Sequence, residues 1–254
     1  MDRESKTCDV DWASLERDIL VSIFQKLDEN DRLSGVPLVC RSWYHASTDP
    51  FCWKHLDLQR WSQKSGTYAQ LLNILQFVLE KRQAQLQSIV FPHQWTTENL
   101  VSYVTVKCPS LKSVTFTNCD QLLCRDILFR AFQSCSELET LSLNLSNDLP
   151  NDAWPELQRS CRSLRQLKLK GYTFYDIDIA HIAKHVKGIK ALVLEFLYIY
   201  KEDVAHFLKA CKELDSFILF YGEGFKMDPE ILWLVSGIRD FRIFKLDCYN
   251  NMSY

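Results

Sequence analysis

The side chains most able to do chemistry fall into three small constellations. His181 and His185 are four residues apart, which on a helix puts two imidazoles on one face at the spacing of a zinc pair. Ile182 follows His181 where a metalloprotease would carry glutamate, and no nearby cysteine pair completes a four-ligand set. The pair therefore reads as a solvated helix face. Cys119 and Cys124 share a strand-to-helix turn but lack a second pair. Gly222-Glu223-Gly224 follows a strand, yet the third glycine and the βαβ context of a dinucleotide site are missing. A nucleophilic cysteine needs an activating histidine, and no such arrangement can be defined. The expectation is a chain with no catalytic residues, no metal and no cofactor. Attention then moves to the elements that carry these residues.

Those elements repeat. Leu86, Leu111, Leu138, Leu164, Ile189, Leu214 and Ile238 recur at 24 to 27 residues, and most open the same apolar alternation. Leu111-x-x-Val114-x-Phe116 and Leu138-x-x-Leu141-x-Leu143 are followed by Leu164-x-x-Leu167-x-Leu169 and Ile189-x-x-Leu192-x-Leu194. Leu214-x-x-Phe217-x-Leu219 and Ile238-x-x-Phe241-x-Ile243 complete the series. A fixed period of this length is the signature of a leucine-rich solenoid. Helical spacing fills the intervals over residues 68–82, 98–107, 122–134, 176–186, 203–211 and 229–235. A single unit cannot bury both its strand face and its helix stripe, so stacking closes the core. The fold class expected is α/β: a short N-terminal helical unit, then a right-handed array of parallel strands on the inner face with helices outside. The expected domains are an N-terminal tail over 1–11, a helical unit over 12–58 and about seven irregular repeats over 59–254.

The repeats are irregular where a side-chain ladder is usual. Eight residues after each opening leucine stand Cys119, Ser146, Tyr172, Leu197, Gly222 and Leu246, of which only the first fits the usual Asn or Cys. Alternation assigns the open face. It carries Ser113, Thr115 and Thr117, then Thr140, Ser142 and Asn144, which are small and neutral. Next come Lys168 and Lys170, then Glu195, then Ile218 and Phe220, then Arg242 and Phe244. Aromatic residues and arginine concentrate binding energy at interfaces. Ile218, Phe220, Tyr221, Arg242 and Phe244, with Lys168, Lys170 and Glu195 at their edge, are the candidate partner-binding patch. The competing reading is that the end of the chain covers the last strands.

Composition narrows the partners. Of 254 residues, 30 are basic and 32 acidic, giving a formal charge of −2. That supplies no field for nucleic acid or an anionic membrane. No apolar run approaches the ~20 residues of a membrane helix, and Met1-Asp2-Arg3-Glu4-Ser5-Lys6 is too polar for a secretory signal. The nucleus or cytoplasm is the expected location. Cys108, Cys135, Cys161 and Cys211 each precede a repeat-opening leucine by three residues, so they are expected to be buried free thiols at helix ends.

The first 58 residues differ in kind. Ser14 is a candidate N-cap, with Glu16 and Asp18 in the first turn. The helix then places Ile19, Leu20, Ile23, Phe24 and Leu27 on one stripe. A second segment holds Leu33 and Val36, and a third follows Pro37 with Val39, Cys40, Trp43 and Ala46. So small a helical unit buries little by itself, so part of its apolar surface is left either for the repeats or for another protein.

Residues 15–24 (Leu15-Glu16-Arg17-Asp18-Ile19-Leu20-Val21-Ser22-Ile23-Phe24), then Val39-Cys40-Arg41-Ser42-Trp43, then Asp49-Pro50-Phe51-Cys52-Trp53, resemble an F-box. With the repeats behind it, the whole chain is similar to plant-type F-box/leucine-rich-repeat proteins. The resemblance implies the substrate receptor of a Skp–cullin–F-box ubiquitin ligase, whose F-box binds a Skp-type adaptor and through it a cullin while the repeats hold a protein substrate. Its adaptor contacts would be Leu15, Ile19, Leu20, Ile23, Phe24, Leu33, Val39, Cys40, Arg41 and Trp43, some of which could instead form the unit's own core. The family usually has Leu-Pro where this chain has Leu15-Glu16, so the proline's contact with the adaptor would be lost. The alternative is a leucine-rich-repeat scaffold that never meets a ligase.

Overall fold

The computed structural model describes residues 11–59, 67–81, 86–92, 94, 96–117, 125–145, 152–173 and 179–246. One sheet runs through them in strict sequence order, every neighbouring pair parallel. Its strands are β1 (His55–Asp57), β2 (Ser88–Phe91), β3 (Ser113–Phe116), β4 (Thr140–Leu145), β5 (Gln166–Thr173), β6 (Ala191–Tyr198), β7 (Ser216–Glu223) and β8 (Asp240–Lys245). The helices between them are α4 (Tyr68–Gln76), α5 (Glu98–Lys107), α6 (Arg125–Ser134), α7 (Ala153–Ser160), α8 (Ile179–His185), α9 (Lys201–Ala210) and α10 (Pro229–Val235). The fold is thus a helical head followed by a leucine-rich-repeat array.

Local chemistry sets the boundaries. Thr67 closes a capping box with Gln70 at the start of α4. The hydroxyl of Thr97 accepts from Leu100 N at the start of α5, and Asp228 caps α10 with Pro229 at its first position. At the other ends, Cys108, Cys135, Cys161 and Cys211 each donate their backbone N–H to the last turn of a helix. Three of them, Cys108, Cys135 and Cys161, then accept from the leucine three residues on. All four thiols are buried. Cys161 Sγ lies 3.6 Å from the carbonyl of Phe132, and Cys211 Sγ 3.5 Å from that of Val186, each one repeat back. A small, weakly donating side chain fits this crowded turn.

The regularity that the missing side-chain ladder would supply comes from the backbone. The carbonyl of Gln87 accepts from both Lys112 N and Ser113 N at 2.9 Å. Lys112, Glu139, Arg165 and Lys190 repeat this double acceptance toward the next repeat, at 2.7 to 3.0 Å. Any residue can supply a carbonyl, so the sequence at these positions is free to vary. The strand residues Leu141, Leu143, Leu167, Leu169, Leu192, Leu194, Phe217 and Leu219 are fully buried under the helices. Each such side chain contributes about 1.5–3 kcal/mol.

Four findings depart from the sequence reading. α7 has no counterpart there, because Pro155 hides it; the proline sits in the first turn, where its missing N–H costs nothing. β1 adds a strand before the first repeat mark. Ser14 is not a cap: Trp12–Ser14 is a 3-10 turn capped by Asp11, Leu15 and Glu16 are extended, and α1 (Arg17–Phe24) starts after them. The segment after Pro37 is not one helix, because Cys40 is fully extended between α2 (Val36–Val39) and α3 (Arg41–Ser47).

Head and array share one core. Lys54, the residue after the Pro50–Trp53 turn, accepts from Gln87 N and Ser88 N at 2.8 and 3.1 Å, so the head itself provides the first rung of the carbonyl ladder. Beneath it Arg32 is buried. Its guanidinium donates to the carbonyls of Cys52 and His55 and to Glu29 Oε1, and lies 5.3 Å from the Trp53 ring centre. Glu29 Oε1 also accepts from Asp57 N in β1 at 2.8 Å.

Candidate protein-interaction surfaces

The head keeps part of its apolar stripe in the core and turns part of it outward. Leu20 and Phe24, expected at the adaptor contact, are fully buried. They are core residues, because the face of α1 that they share with Val21 packs inward. Leu15, Ile23, Leu33 and Trp43 are half-buried against the same core. The Trp43 ring lies 5.3 Å from Phe24, and its Nε1 donates to the Trp12 carbonyl. Cys40 is half-buried and Arg41 is exposed. Ile19 and Val39 are the expected residues that present large apolar surface, at 48% and 58% exposure.

Sequence reasoning missed the most exposed apolar side chain of all, Leu38 at 83%. It also missed Trp12, Tyr44 and Phe51. Six of the thirteen large hydrophobics exposed among the described residues fall within residues 12–51, which concentrates them on the head. Such crowding marks an interaction surface rather than scattered apolar exposure. The head is braced to present it: Arg17 pairs with Asp49 at 2.7 Å, and Gln25 donates to the Phe51 carbonyl.

The second surface is the open face of the sheet, and register makes it a grid. Lys168, Val193, Ile218 and Arg242 form one row across β5 to β8; Lys170, Glu195, Phe220 and Phe244 form the next. The Phe220 and Phe244 rings stack with centroids 4.9 Å apart, and Phe244 is 43% exposed. Glu195 receives both lysines, Lys168 at 3.0 Å and Lys170 at 2.6 Å. Burial alone would raise its pKa, but the two ammonium groups outweigh that and hold the carboxyl below its ordinary value. Arg242 is paired with Asp240.

Two expected members of this face do not belong to it. Tyr221 has the parity of Phe217 and Leu219, and it meets Phe225 edge-on on the helix side. Its aromatic character suggested the patch, but alternation places it on the opposite face. Thr117 is buried, and its hydroxyl donates to the Phe91 carbonyl. At the far end of the array Leu232 and Trp233 of α10 are exposed, at 54% and 73%, and neither was foreseen.

The constellations first singled out resolve as follows. His185 Nδ1 is 2.8 Å from Gln158 Oε1. The side chain of His181, and both Cys119 and Cys124, lie outside the described residues. Gly222 and Gly224 are close-approach glycines. A Cβ on Gly222 would meet Leu197 O at 2.6 Å, and Gly224 has φ +86° against Ile199 O. Burial pushes the thiols of Cys135, Cys161 and Cys211 up to about 12. The buried carboxylate of Glu156 is held low by the Ser160 hydroxyl and by Arg159 within its own helix. Among the described residues no group of three or more His, Cys, Asp or Glu side chains converges on a metal position, and no helix is long and apolar enough to cross a membrane.

Residues 12–59 match the F-box-like family. The chain is an F-box-like domain joined to leucine-rich repeats. It is 26% identical over 175 residues to an F-box/LRR-repeat protein of Arabidopsis thaliana, covering 63% of this chain and 56% of that one. It is also 24% identical over 174 residues to the F-box protein FBW2 of the same plant (68% and 53%). The F-box protein SKIP1, again from Arabidopsis, is 25% identical over 167 residues (62% and 55%). The chain spans about half the length of these relatives.

Proposed function

We propose that this chain is a substrate-recognition subunit of a Skp–cullin–F-box ubiquitin ligase, acting in the nucleus or cytoplasm. In this reading the F-box docks on a Skp-type adaptor, which bridges to a cullin, and the repeats hold a protein substrate. The observation that carries it is the concentration of exposed apolar side chains on the F-box, with Leu38, Val39 and Ile19 outward while Leu20 and Phe24 hold the core. Helical surfaces of this kind bury their apolar residues against a partner. The chain contributes no nucleophile or base. It raises the effective concentration of a substrate lysine near a ubiquitin thioester carried by another subunit.

The test is co-expression with a Skp-type adaptor and measurement of a stoichiometric complex, with Leu38→Asp and Val39→Asp as variants. Both side chains are exposed, so neither substitution disturbs the core. A complex lost in both variants is the expected result. A complex that forms equally well with both would sink the assignment of this face, and no complex with the unaltered chain would sink the ligase role.

A further inference from the structure

The open face of the array is divided by charge. On β5 and β6, two ammonium groups share one carboxylate, because Lys168 and Lys170 both close on Glu195. That leaves one positive charge in surplus. On β7 and β8 the charges cancel, since Arg242 is matched by Asp240. The ground there is apolar: Ile218 beside the stacked rings of Phe220 and Phe244. Earlier strands offer only small neutral groups such as Thr115, Ser142 and Thr140, so the divided patch sits at one end of the sheet.

We propose that this face holds an extended acidic segment of a partner protein, its carboxylate over Lys168 and Lys170 and an apolar side chain on Ile218, Phe220 and Phe244. This deepens the ligase reading by naming a substrate class, and it rests on that reading. Strands lie ~4.8 Å apart, so the lysine strand is roughly 12 Å from the middle of the phenylalanine pair. An extended chain advances ~3.3 Å per residue, so a segment crossing the strands places its acid about three or four residues from its apolar anchor. A surplus of one charge selects a carboxylate-bearing peptide rather than a polyanion, which needs several cations along its track.

The experiment uses the full chain, with its adaptor when the two co-purify, and fluorescence polarisation of short fluorescein-labelled peptide pools. One pool fixes Asp three to four positions before Leu or Phe and is otherwise random. Matched pools replace Asp by Asn, Leu or Phe by Ala, or Asp by phosphoserine. The acidic-apolar pool is expected to bind about tenfold tighter than the Asn and Ala pools, a difference that shrinks as salt is raised. Lys168→Gln with Lys170→Gln should remove the preference for acid, and Phe244→Ala the preference for the apolar anchor, both with unchanged thermal midpoints.

Equal binding of the Asp and Asn pools, a preference that survives the lysine substitutions, or binding of the phosphoserine pool alone would each overturn the proposal. So would self-association of the chain that is dissolved by Phe244→Ala. Adaptor binding is read separately. An adaptor complex without acid-selective peptide binding refutes this inference alone, and selective peptide binding without the complex refutes the ligase reading alone.

Discussion

Removing Arg32 tests whether the F-box and the repeats are one body. Arg32→Met keeps the length and apolar stem but deletes the guanidinium. It strips the Cys52 and His55 carbonyls of their donor and leaves Glu29 without its counter-charge. Glu29 still accepts from Asp57 N, but its carboxylate is then mostly buried and unpaired. Breaking a buried pair by removing one partner costs about 3–5 kcal/mol, because the remaining charge stays desolvated. A repeat array opens segment by segment, so the loss is local and is best read by hydrogen exchange. The amides of Asp57 and its β2 neighbours should exchange roughly two to four orders of magnitude faster, while those of β6 and β7 stay within tenfold of their original rates. Adding Glu29→Gln to Arg32→Met removes the orphan charge and should recover about 0.5–3 kcal/mol of the loss. If the two substitutions simply add, or if exchange rises evenly across the sheet, the pair does not join head to array.

Four further outcomes are expected. Glu16 has φ −60° with an extended Leu15 before it, the geometry proline requires, so Glu16→Pro should stabilise the chain by about 0.4–1 kcal/mol and tighten adaptor binding; weaker folding in urea would contradict this. Gly222→Ala drives a Cβ into Leu197 and should cost about 1–3 kcal/mol, whereas Gly188→Ala, with nothing within 4 Å, should be neutral or stabilising by thermal melt. In the native chain at neutral pH, iodoacetamide followed by peptide mapping should leave Cys108, Cys135, Cys161 and Cys211 unmodified, and all four should react after denaturation. Glu195 has a folded pKa below its ordinary 4.5, so its contribution is complete above that value and lost as pH falls through the folded one; Glu195→Gln should flatten the loss of stability between about pH 5 and pH 3, measured by denaturant midpoints.

The array was legible because its signal is repeated and buried. An opening leucine, a buried pair two residues apart and a cysteine at the helix end recur together, and each occurrence corroborates the others. Single elements were less legible. α7 contains a proline that local reading takes as a break, and its helical start shows only when neighbouring helices pack on it. β1 is three residues long and merges in sequence with the head. On the surfaces, residue type misled where parity would have served. Tyr221 looked like part of an aromatic patch but shares the face of Leu219. Leu38 carries no periodic signal, because its helix is one turn long and its neighbours Val36 and Val39 are divided between core and solvent. In the head, apolar character alone does not separate core from contact, since Leu20 and Ile19 are adjacent and chemically alike.

The arrangement of these surfaces follows from the order of the strands. The head is built onto β1, the divided patch occupies β5 to β8, and every intervening strand adds ~4.8 Å. Seven such steps separate β1 from β8 by roughly 34 Å along the sheet, so the number of repeats works as a ruler. A ruler is useful only if its ends are fixed. Here that is done by Lys54, whose carbonyl starts the same ladder that each repeat continues, and by Arg32 beneath it. In the proposed ligase, proximity catalysis depends on where a substrate lysine is held relative to the thioester. A substitution at Arg32 would then lower ubiquitin transfer while leaving both adaptor and substrate affinity intact. Leu38→Asp would abolish the first affinity, and Phe244→Ala would weaken the second. Three sites with three separable failures are what distinguish a rigid bridge from two binding domains on a tether, for which the Arg32 substitution would leave transfer unchanged.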